Sequence, residues 1–167
     1  MLSFDIRTLE STPERVDAEL APSDPVWEGD DLLPVESVHV AGRLSSAGAS
    51  RFYFSGHLEG EAGVECRRCL TDVRVPVAAD VHLIFAEAAD EEIDDPDVYT
   101  LDPKSAELDL RPAIREEWLL SVPAFALCRE DCRGLCPVCG ADLNEDPAHT
   151  HAAGDPRWDA LRELGGK

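Results

Sequence analysis

Residues 128–140 read CREDCRGLCPVCG and place four cysteines within thirteen residues. The stretch ends in a C-x-x-C turn, in which Pro137 rigidifies the backbone and Gly140 allows it to fold back over the sulfur atoms. Such a turn directs two thiolates at one point, as tetrahedral zinc requires. The spacing therefore predicts a zinc knuckle, and the fold of the C-terminal region depends on which ligands complete it.

Further candidate ligands lie on both sides of this stretch. Upstream, Cys66 and Cys69 form a second C-x-x-C; downstream, His149 and His151 follow Cys139 by ten and twelve residues. All six cysteines of the chain belong to this set, and eight ligands equal two tetrahedral zinc ions. The candidate metal ligands are Cys66, Cys69, Cys128, Cys132, Cys136, Cys139, His149 and His151. The alternative for the two histidines is a polar tail that binds nothing.

Two groupings of these ligands are open. In the long-range grouping, Cys66 and Cys69 share one ion with Cys128 and Cys132, and the remaining four ligands hold a second ion. In the local grouping, the four cysteines of residues 128–140 bind one ion by themselves. We favour the long-range grouping because it leaves no C-x-x-C unpaired.

Other uses of the thiols are a redox site or redox-sensing zinc switch, a disulfide framework and an iron–sulfur cluster. The first seven residues have neither a basic n-region nor an apolar h-region, so we expect no secretory signal and a cytoplasmic location. That location argues against disulfides, and the nearby histidines favour zinc. One or two structural zinc ions are therefore the expected cofactor.

The chain of 167 residues carries a net charge of −20. This charge opposes contact with phosphates and favours basic partners, so a nucleic-acid-binding function without a partner is not expected. The acidic run Glu87–Asp97 is either a solvated loop or a docking segment for such a partner. Four arginines next to the cysteines either hydrogen-bond to thiolates and helix ends or hold one phosphate: Arg67, Arg68, Arg129 and Arg133. No apolar stretch approaches 18 residues, so no membrane span is expected.

Alternating apolar and polar residues predict strands separated by short turns. The predicted strands cover residues 2–6, 35–44, 51–58, 72–85 and 98–101, and Pro76 makes the first half of the fourth an edge or a bulge site. Short helices are predicted over residues 11–20, from a capping-box pattern, over residues 110–120, capped by Asp109, and after Asp155. We expect an α+β fold: an antiparallel, barrel-like β-meander with a few short helices and a C-terminal zinc-knuckle lobe.

Two parts are expected: a β-rich core domain over residues 1–122, with one helix at its end, and a metal-binding lobe over residues 123–167. The sequence contains no phosphate-binding loop, nucleophile elbow or H-E-x-x-H motif. His39, His57 and His82 each lie in a strand pattern, where a histidine is usually a surface or hydrogen-bonded residue. Four protein ligands also leave no open coordination position on zinc. We therefore do not expect an enzyme.

The chain resembles a known family, the YceD-type bacterial proteins, which are known as large ribosomal RNA subunit accumulation proteins. The resemblance rests on CRRCL at 66–70, CREDCRGLCPVCGADLN at 128–144 and DPRWDAL at 155–161. Many relatives have C-x-C where this chain has His149-Thr150-His151, and the composition is similar to that of an actinobacterial member.

The resemblance implies a non-catalytic factor in biogenesis of the large ribosomal subunit, needed for 23S rRNA to accumulate. Its expected partner is a large-subunit precursor or a basic ribosomal protein; whether it touches RNA directly is left open. The alternative function is a redox-responsive zinc–thiolate binding module. A hydrolase is a third hypothesis, which no motif supports.

Overall fold

The computed structural model describes residues 1–29, 31–48, 50–87, 98–102 and 104–151. Among these residues the chain forms seven strands and two helices. In chain order they are β1 (Ser3–Asp5), α1 (Ile6–Ser11), β2 (Glu14–Leu20), β3 (Val38–Gly48), β4 (Arg51–Glu65), β5 (Asp72–Glu87), β6 (Val98–Leu101), β7 (Glu107–Asp109) and α2 (Arg111–Ser121). Residues 88–97 of the acidic run and the helix predicted after Asp155 lie outside the described residues.

A five-stranded sheet in the order β2-β3-β4-β5-β6 forms the body of the protein. The strands from β2 to β5 pair antiparallel with their neighbours, which confirms the predicted meander. In contrast, β6 runs parallel to β5, with Val98 opposite Ile84. The strands β1 and β7 form a separate antiparallel ribbon, with Phe4 opposite Leu108.

The sheet is open, so the expected barrel-like closure is wrong. A barrel requires its first and last strands to pair, but β2 and β6 lie at opposite edges and no pairing joins them in the described part of the chain. Helices cover the apolar face instead, since α1 packs against β3 and α2 against β5. The face is thus removed from water without closure, and the fold is an α+β fold with a mainly antiparallel sheet.

The helix predicted over residues 11–20 is also wrong, because residues 14–20 form β2. Val16, Ala18 and Leu20 are buried and alternate with exposed or half-buried residues, which is the period of a strand. The helix lies one segment earlier, in α1, where Asp5 Oδ1 accepts a hydrogen bond from Thr8 N at 2.9 Å. Ser11 instead ends α1, where its Oγ donates to Thr8 O at 3.1 Å, and the alternating burial of the residues that follow is that of a strand.

Aromatic rings on the buried side of the sheet lie over glycines. Gly42 and Gly56 face each other across β3 and β4, and a Cβ at Gly56 would lie 2.5 Å from the Phe54 ring and 2.4 Å from a carbonyl oxygen of β3. A Cβ at Gly60 would lie 3.0 Å from the ring of Trp118, which is fully buried. These contacts leave no room for larger residues at Gly42 and Gly56.

Helix α2 confirms the prediction for residues 110–120 within one residue at each end. Its buried residues are Ala113, Ile114 and Trp118, which lie on one face of the helix. The N-cap is Leu110 rather than Asp109, although Asp109 Oδ1 accepts a hydrogen bond from the first helical N–H at 2.9 Å.

The hairpin of β4 and β5 positions the candidate site. The two strands pair without a register shift from Arg51 opposite Ala86 to Glu65 opposite Asp72, so residues 66–71 form the loop at the hairpin tip. Within residues 123–151 the β-structure consists of one isolated bridge, which joins Leu135 and Asp142. The boundary between a core domain and a lobe at residues 122 and 123 stays a prediction.

Candidate metal centre

The first C-x-x-C turn closes the β4–β5 hairpin. Cys66 N donates to Thr71 O and Leu70 N donates to Cys66 O, both at 2.8 Å. Leu70 has φ of 61°, a left-handed conformation that is costly for a residue with a side chain. The turn thus folds back over its own sulfur atoms, and both thiols are buried.

The second C-x-x-C turn has the same geometry. Cys136 N donates to Ala141 O and Gly140 N donates to Cys136 O, again at 2.8 Å. Gly140 has φ of 76° and occupies the position that Leu70 has in the first turn. The sequence analysis assigned this role to Gly140, and the same geometry at Leu70 shows that the turn does not depend on glycine.

Four sulfur atoms converge at the hairpin tip. Cys66 Sγ lies 3.9 Å from Cys132 Sγ, and Cys69 Sγ lies 3.6 Å from Cys128 Sγ. All four lie within 4.8 Å of one another. Around a tetrahedral zinc ion with bonds of about 2.3 Å, sulfur atoms lie about 3.8 Å apart. The tip cluster, as we call these four cysteines, therefore has the dimensions of a tetrahedral thiolate site.

A second group of four ligand atoms lies further along the chain. Cys139 Sγ lies 3.2 Å from His149 Nε2 and 3.3 Å from His151 Nε2, and the two histidine nitrogens are 2.9 Å apart. Together with Cys136 Sγ these atoms also lie within 4.8 Å of one another. Around tetrahedral zinc, with bonds of about 2.0 Å to nitrogen and 2.3 Å to sulfur, two nitrogens lie about 3.3 Å apart and a nitrogen and a sulfur about 3.5 Å apart. We call this group the tail cluster; its geometry is close to that of a two-sulfur, two-nitrogen site.

The structure therefore contains the long-range grouping of the eight candidate residues and not the local one. Cys128 and Cys132 lie with the cysteines of the hairpin tip, whereas Cys136 and Cys139 lie with the histidines. No other group of three or more potential ligands converges in the part of the chain that the structure describes.

Backbone N–H groups favour the thiolate at the first cysteine of each turn. The pKa of Cys66 is lowered to about 6, chiefly by a hydrogen bond from the N–H of Cys128 and next by one from Cys69. The pKa of Cys136 is lowered to about 7 by the N–H groups of Val138 and Cys139. Because metals bind the thiolate, Cys66 and Cys136 are prepared for ligation near neutral pH. At Cys128, by contrast, desolvation raises the pKa to about 12.

Asn144 supports the tip cluster, a role that the sequence analysis missed. Its Nδ2 lies 3.6 Å from Cys132 Sγ, and its Oδ1 accepts hydrogen bonds from Arg133 N and Arg129 Nη2, both at 2.8 Å. Nδ2 also donates to Asp142 Oδ1 at 2.6 Å. The amide thus orients a cluster thiol while binding the segment that carries it. The only sequence signal was an asparagine within the stretch quoted for the resemblance.

The arginines near the cysteines hold the chain segments together. Arg68 Nη1 donates to Cys132 O at 2.8 Å and to Glu130 O at 3.2 Å, which joins the hairpin tip to the C-terminal segment. Arg133 Nη1 donates to Pro147 O at 3.2 Å. Arg67 lies 3.8 Å above the ring of Phe125. The partners differ from the predicted thiolates and helix ends: Arg68 and Arg133 donate to main-chain carbonyl groups, and Arg129 donates to Asn144.

The three strand histidines are partnered on the outer face of the sheet, as expected for surface residues. The pairs are His39 with Asp17 and Glu59, His57 with Asp80, and His82 with Tyr53, at 2.8–3.3 Å. The pKa of His39 is raised, chiefly by the hydrogen bond to Asp17 and next by the one to Glu59.

Comparison with known proteins places these features in a family. The family model for "Large ribosomal RNA subunit accumulation protein YceD" matches residues 54–165, a range that contains both clusters. This chain belongs to the YceD family. The family is described as an accumulation protein and not by a catalytic activity.

The relatives of this YceD-family chain include uncharacterized proteins of two bacterial groups. The uncharacterized protein Rv2926c of Mycobacterium tuberculosis is 33% identical over 164 residues, covering 96% of this chain and 73% of the relative. The uncharacterized protein YlbN of Bacillus subtilis is 28% identical over 138 residues, covering 80% of this chain and 77% of the relative. No solved structure matches. Among the described residues, no helix is long and apolar enough to span a bilayer.

Proposed function

We propose that this YceD-family protein is a non-catalytic factor in biogenesis of the large ribosomal subunit and supports accumulation of 23S rRNA in the cytoplasm. The observation that carries the proposal is the match of the ribosomal RNA accumulation family over residues 54–165, the same range that builds both clusters. The net charge of −20 supports a basic ribosomal protein or an assembly intermediate as the partner.

In this proposal zinc has a structural role. The tip cluster holds four thiols and the tail cluster two thiols and two imidazoles, so each set fills the four positions of a tetrahedral ion. Bound zinc would supply attachment of the C-terminal segment to the β4–β5 hairpin. The residues themselves orient the donors: backbone N–H groups face Cys66 and Cys136, and Asn144 faces Cys132.

The metal part is tested by zinc content. Purified protein should hold two zinc ions per chain, and Cys69→Ser and Cys139→Ser should each hold one. Cys139→His is the matched control and should hold two, because imidazole can replace thiolate on zinc. Protein prepared without oxygen that contains no zinc would refute this part.

The ribosomal part is tested by sedimentation of a cell lysate through a sucrose gradient. The wild-type protein should travel with precursors of the large subunit, and cells without it should contain less 23S rRNA. A protein that stays at the top of the gradient, in cells that also keep normal 23S rRNA, would contradict the proposal.

A redox-responsive zinc–thiolate module is the second candidate. Its support is that each cluster contains one exposed thiol, Cys128 in the tip cluster and Cys139 in the tail cluster. Mild peroxide should then release zinc and reduce co-sedimentation together. If zinc is lost while co-sedimentation is unchanged, oxidation does not regulate the function.

A further inference from the structure

One edge of the sheet has no partner strand among the described residues. β4 pairs along the whole of β5, but on the other side β6 pairs only from Ile84 onwards. Residues 76–83 therefore have main-chain groups on that side with no strand next to them in the described part of the chain. The edge contains no bulge, because the register between β4 and β5 contains no shift.

The direction of these main-chain groups follows from one hydrogen bond. Glu61 O accepts from Val35 N at 2.8 Å, on the side of β4 away from β5. Glu61 lies opposite Pro76. The two residues therefore form a non-hydrogen-bonded pair, in which the main-chain groups of each residue point away from the other strand. Pro76 consequently faces the free edge, where its missing N–H costs no pairing with β4.

The same direction recurs every second residue along a strand. Ala78, Asp80 and His82 therefore also present their N–H and C=O groups to the free edge. A strand placed beside them would find three donors and three acceptors at regular spacing, up to the point where β6 begins.

The surface next to this edge is acidic. A groove of about 680 Å³ on the outer face runs to Pro76 and Ala78, and its lining contains four carboxylates and neither lysine nor arginine. These carboxylates are Glu19, Glu36, Glu59 and Glu61. Asp80 continues the acidic character along the edge, with its side chain 85% exposed.

The opposite face of the same edge is apolar. Val75 and Ala79 pack against the core but remain partly exposed. An added strand would cover them with alternate side chains, while its other side chains would lie on the face that carries Asp80 of β5 and, one strand further in, Glu59 and Glu61 of β4. A segment that binds this edge should therefore have basic side chains on one face and apolar side chains on the other.

We propose that residues 76–83 of β5 receive an added strand from a basic partner, an extended segment in which lysine or arginine alternates with apolar residues. Main-chain hydrogen bonds would supply affinity, and the two faces would supply specificity. That the segment belongs to a ribosomal protein rests on the proposed function. A second copy of this chain is disfavoured as the occupant, because it would bring its own charge of −20 to an acidic edge.

The probe is a capped decapeptide of alternating lysine and valine. The control peptide has the same sequence and charge, with N-methyl groups on four consecutive main-chain nitrogens, so that two donors are removed from each side of the strand whichever direction it takes. Wild-type protein should bind the first at least about fivefold more tightly, since two or more main-chain hydrogen bonds of about 0.5–1.5 kcal/mol are lost in the second. Amide exchange at Ala78, Asp80 and His82 should slow on binding.

Two variants test separately the contribution of the main-chain groups of the edge and that of the neighbouring carboxylates to peptide binding. Ala78→Pro should keep the β4 pairing, as Pro76 does, and should weaken binding about tenfold. Glu59→Gln with Glu61→Gln should weaken binding at 50 mM salt and match the wild type in 1 M salt, where screening extends over about 3 Å. If both variants bind the probe like the wild type, the proposal is overturned.

Slow exchange at Ala78, Asp80 and His82 in dilute protein without peptide would also overturn it, because the chain itself would already cover the edge. The proposed function is judged separately. If Ala78→Pro co-sediments normally with large-subunit precursors, the edge is not the docking site although the ribosomal function stands. If even the wild type fails to co-sediment, the ribosomal function fails and peptide binding alone decides the edge.

Discussion

Replacing Gly134 by alanine tests how the C-terminal segment attaches to the hairpin tip. Gly134 has φ of 74°, and a Cβ there would lie 2.7 Å from Arg68 O and 3.1 Å from Arg68 Cβ. Arg68 O also accepts from Leu135 N at 2.9 Å. The substitution therefore combines backbone strain with a collision against the acceptor of a hydrogen bond that joins the two segments.

The matched control is Gly140→Ala. Gly140 has φ of 76°, but a Cβ there would meet nothing within 4 Å. It should cost only the left-handed strain, about 1–2 kcal/mol. Gly134→Ala should cost this amount plus about 1–3 kcal/mol for overpacking against a backbone atom.

The assay is thermal unfolding together with the rate at which a colorimetric chelator removes zinc. At about 2–4 °C per kcal/mol for a chain of this size, Gly134→Ala should melt at least about 2 °C below Gly140→Ala, and it should release zinc faster. If the two variants are equally stable and release zinc equally fast, the contact with Arg68 does not hold the segment and the reasoning fails.

Gly56→Ala should destabilise by about 1–3 kcal/mol, because its Cβ would lie 2.4 Å from a carbonyl oxygen; Gly63→Ala on the same strand, with its nearest neighbour at 3.6 Å, should be neutral or stabilising in urea unfolding. His39 should titrate above 6.5 by NMR, and Asp17→Asn should lower that pKa. Since the pKa of His39 is raised in the folded state, the stabilisation that its contact with Asp17 supplies is complete below pH 6.5 and is lost as the pH rises through the raised pKa. A difference in stability between Asp17→Asn and the wild type that persists above this pKa would contradict the assignment. Removal of zinc by a chelator should speed amide exchange in both turns and leave the strands β2 to β5 protected; loss of protection throughout the sheet would show that the fold depends on the metal.

Local geometry at the cysteines could be predicted from sequence because a C-x-x-C turn is a short-range structure. Pro137 and Gly140 identify it directly, and Cys66 and Cys69 share the spacing. The assignment of Cys128 to the hairpin tip could only be favoured, because it depends on how the hairpin and α2 pack over more than fifty intervening residues. Asn144 was missed for the same reason: its contact with a thiol exists only after the segments have come together.

The errors in the fold have different physical causes. Residues 11–14 match a helix-capping pattern, but Val16, Ala18 and Leu20 alternate with polar residues. The burial of these three side chains in a strand outweighed the helix preference of the capping pattern. The parallel direction of β6 could not be read from its four residues, since direction depends on the path of the connection before it. The barrel-like form was predicted from strands separated by short turns, a pattern that an open sheet shares, and α1 and α2 cover the apolar face of this sheet.

The separation of the tip-cluster ligands along the chain imposes an order on folding. Cys69 and Cys128 are 59 residues apart, and the chain between them contains β5, β6, β7 and α2. By contrast, Cys139 and His149 are only ten residues apart, so bringing them together loses less chain entropy and needs no other element. The tail cluster can therefore form on an otherwise unfolded chain. Closing the longer loop of the tip cluster costs about 1.6 kcal/mol more in chain entropy, and the folding of β5, β6, β7 and α2 removes this cost by bringing the ends of the loop together. Completion of the tip cluster is therefore coupled to the folding of these four elements, whereas that of the tail cluster is not.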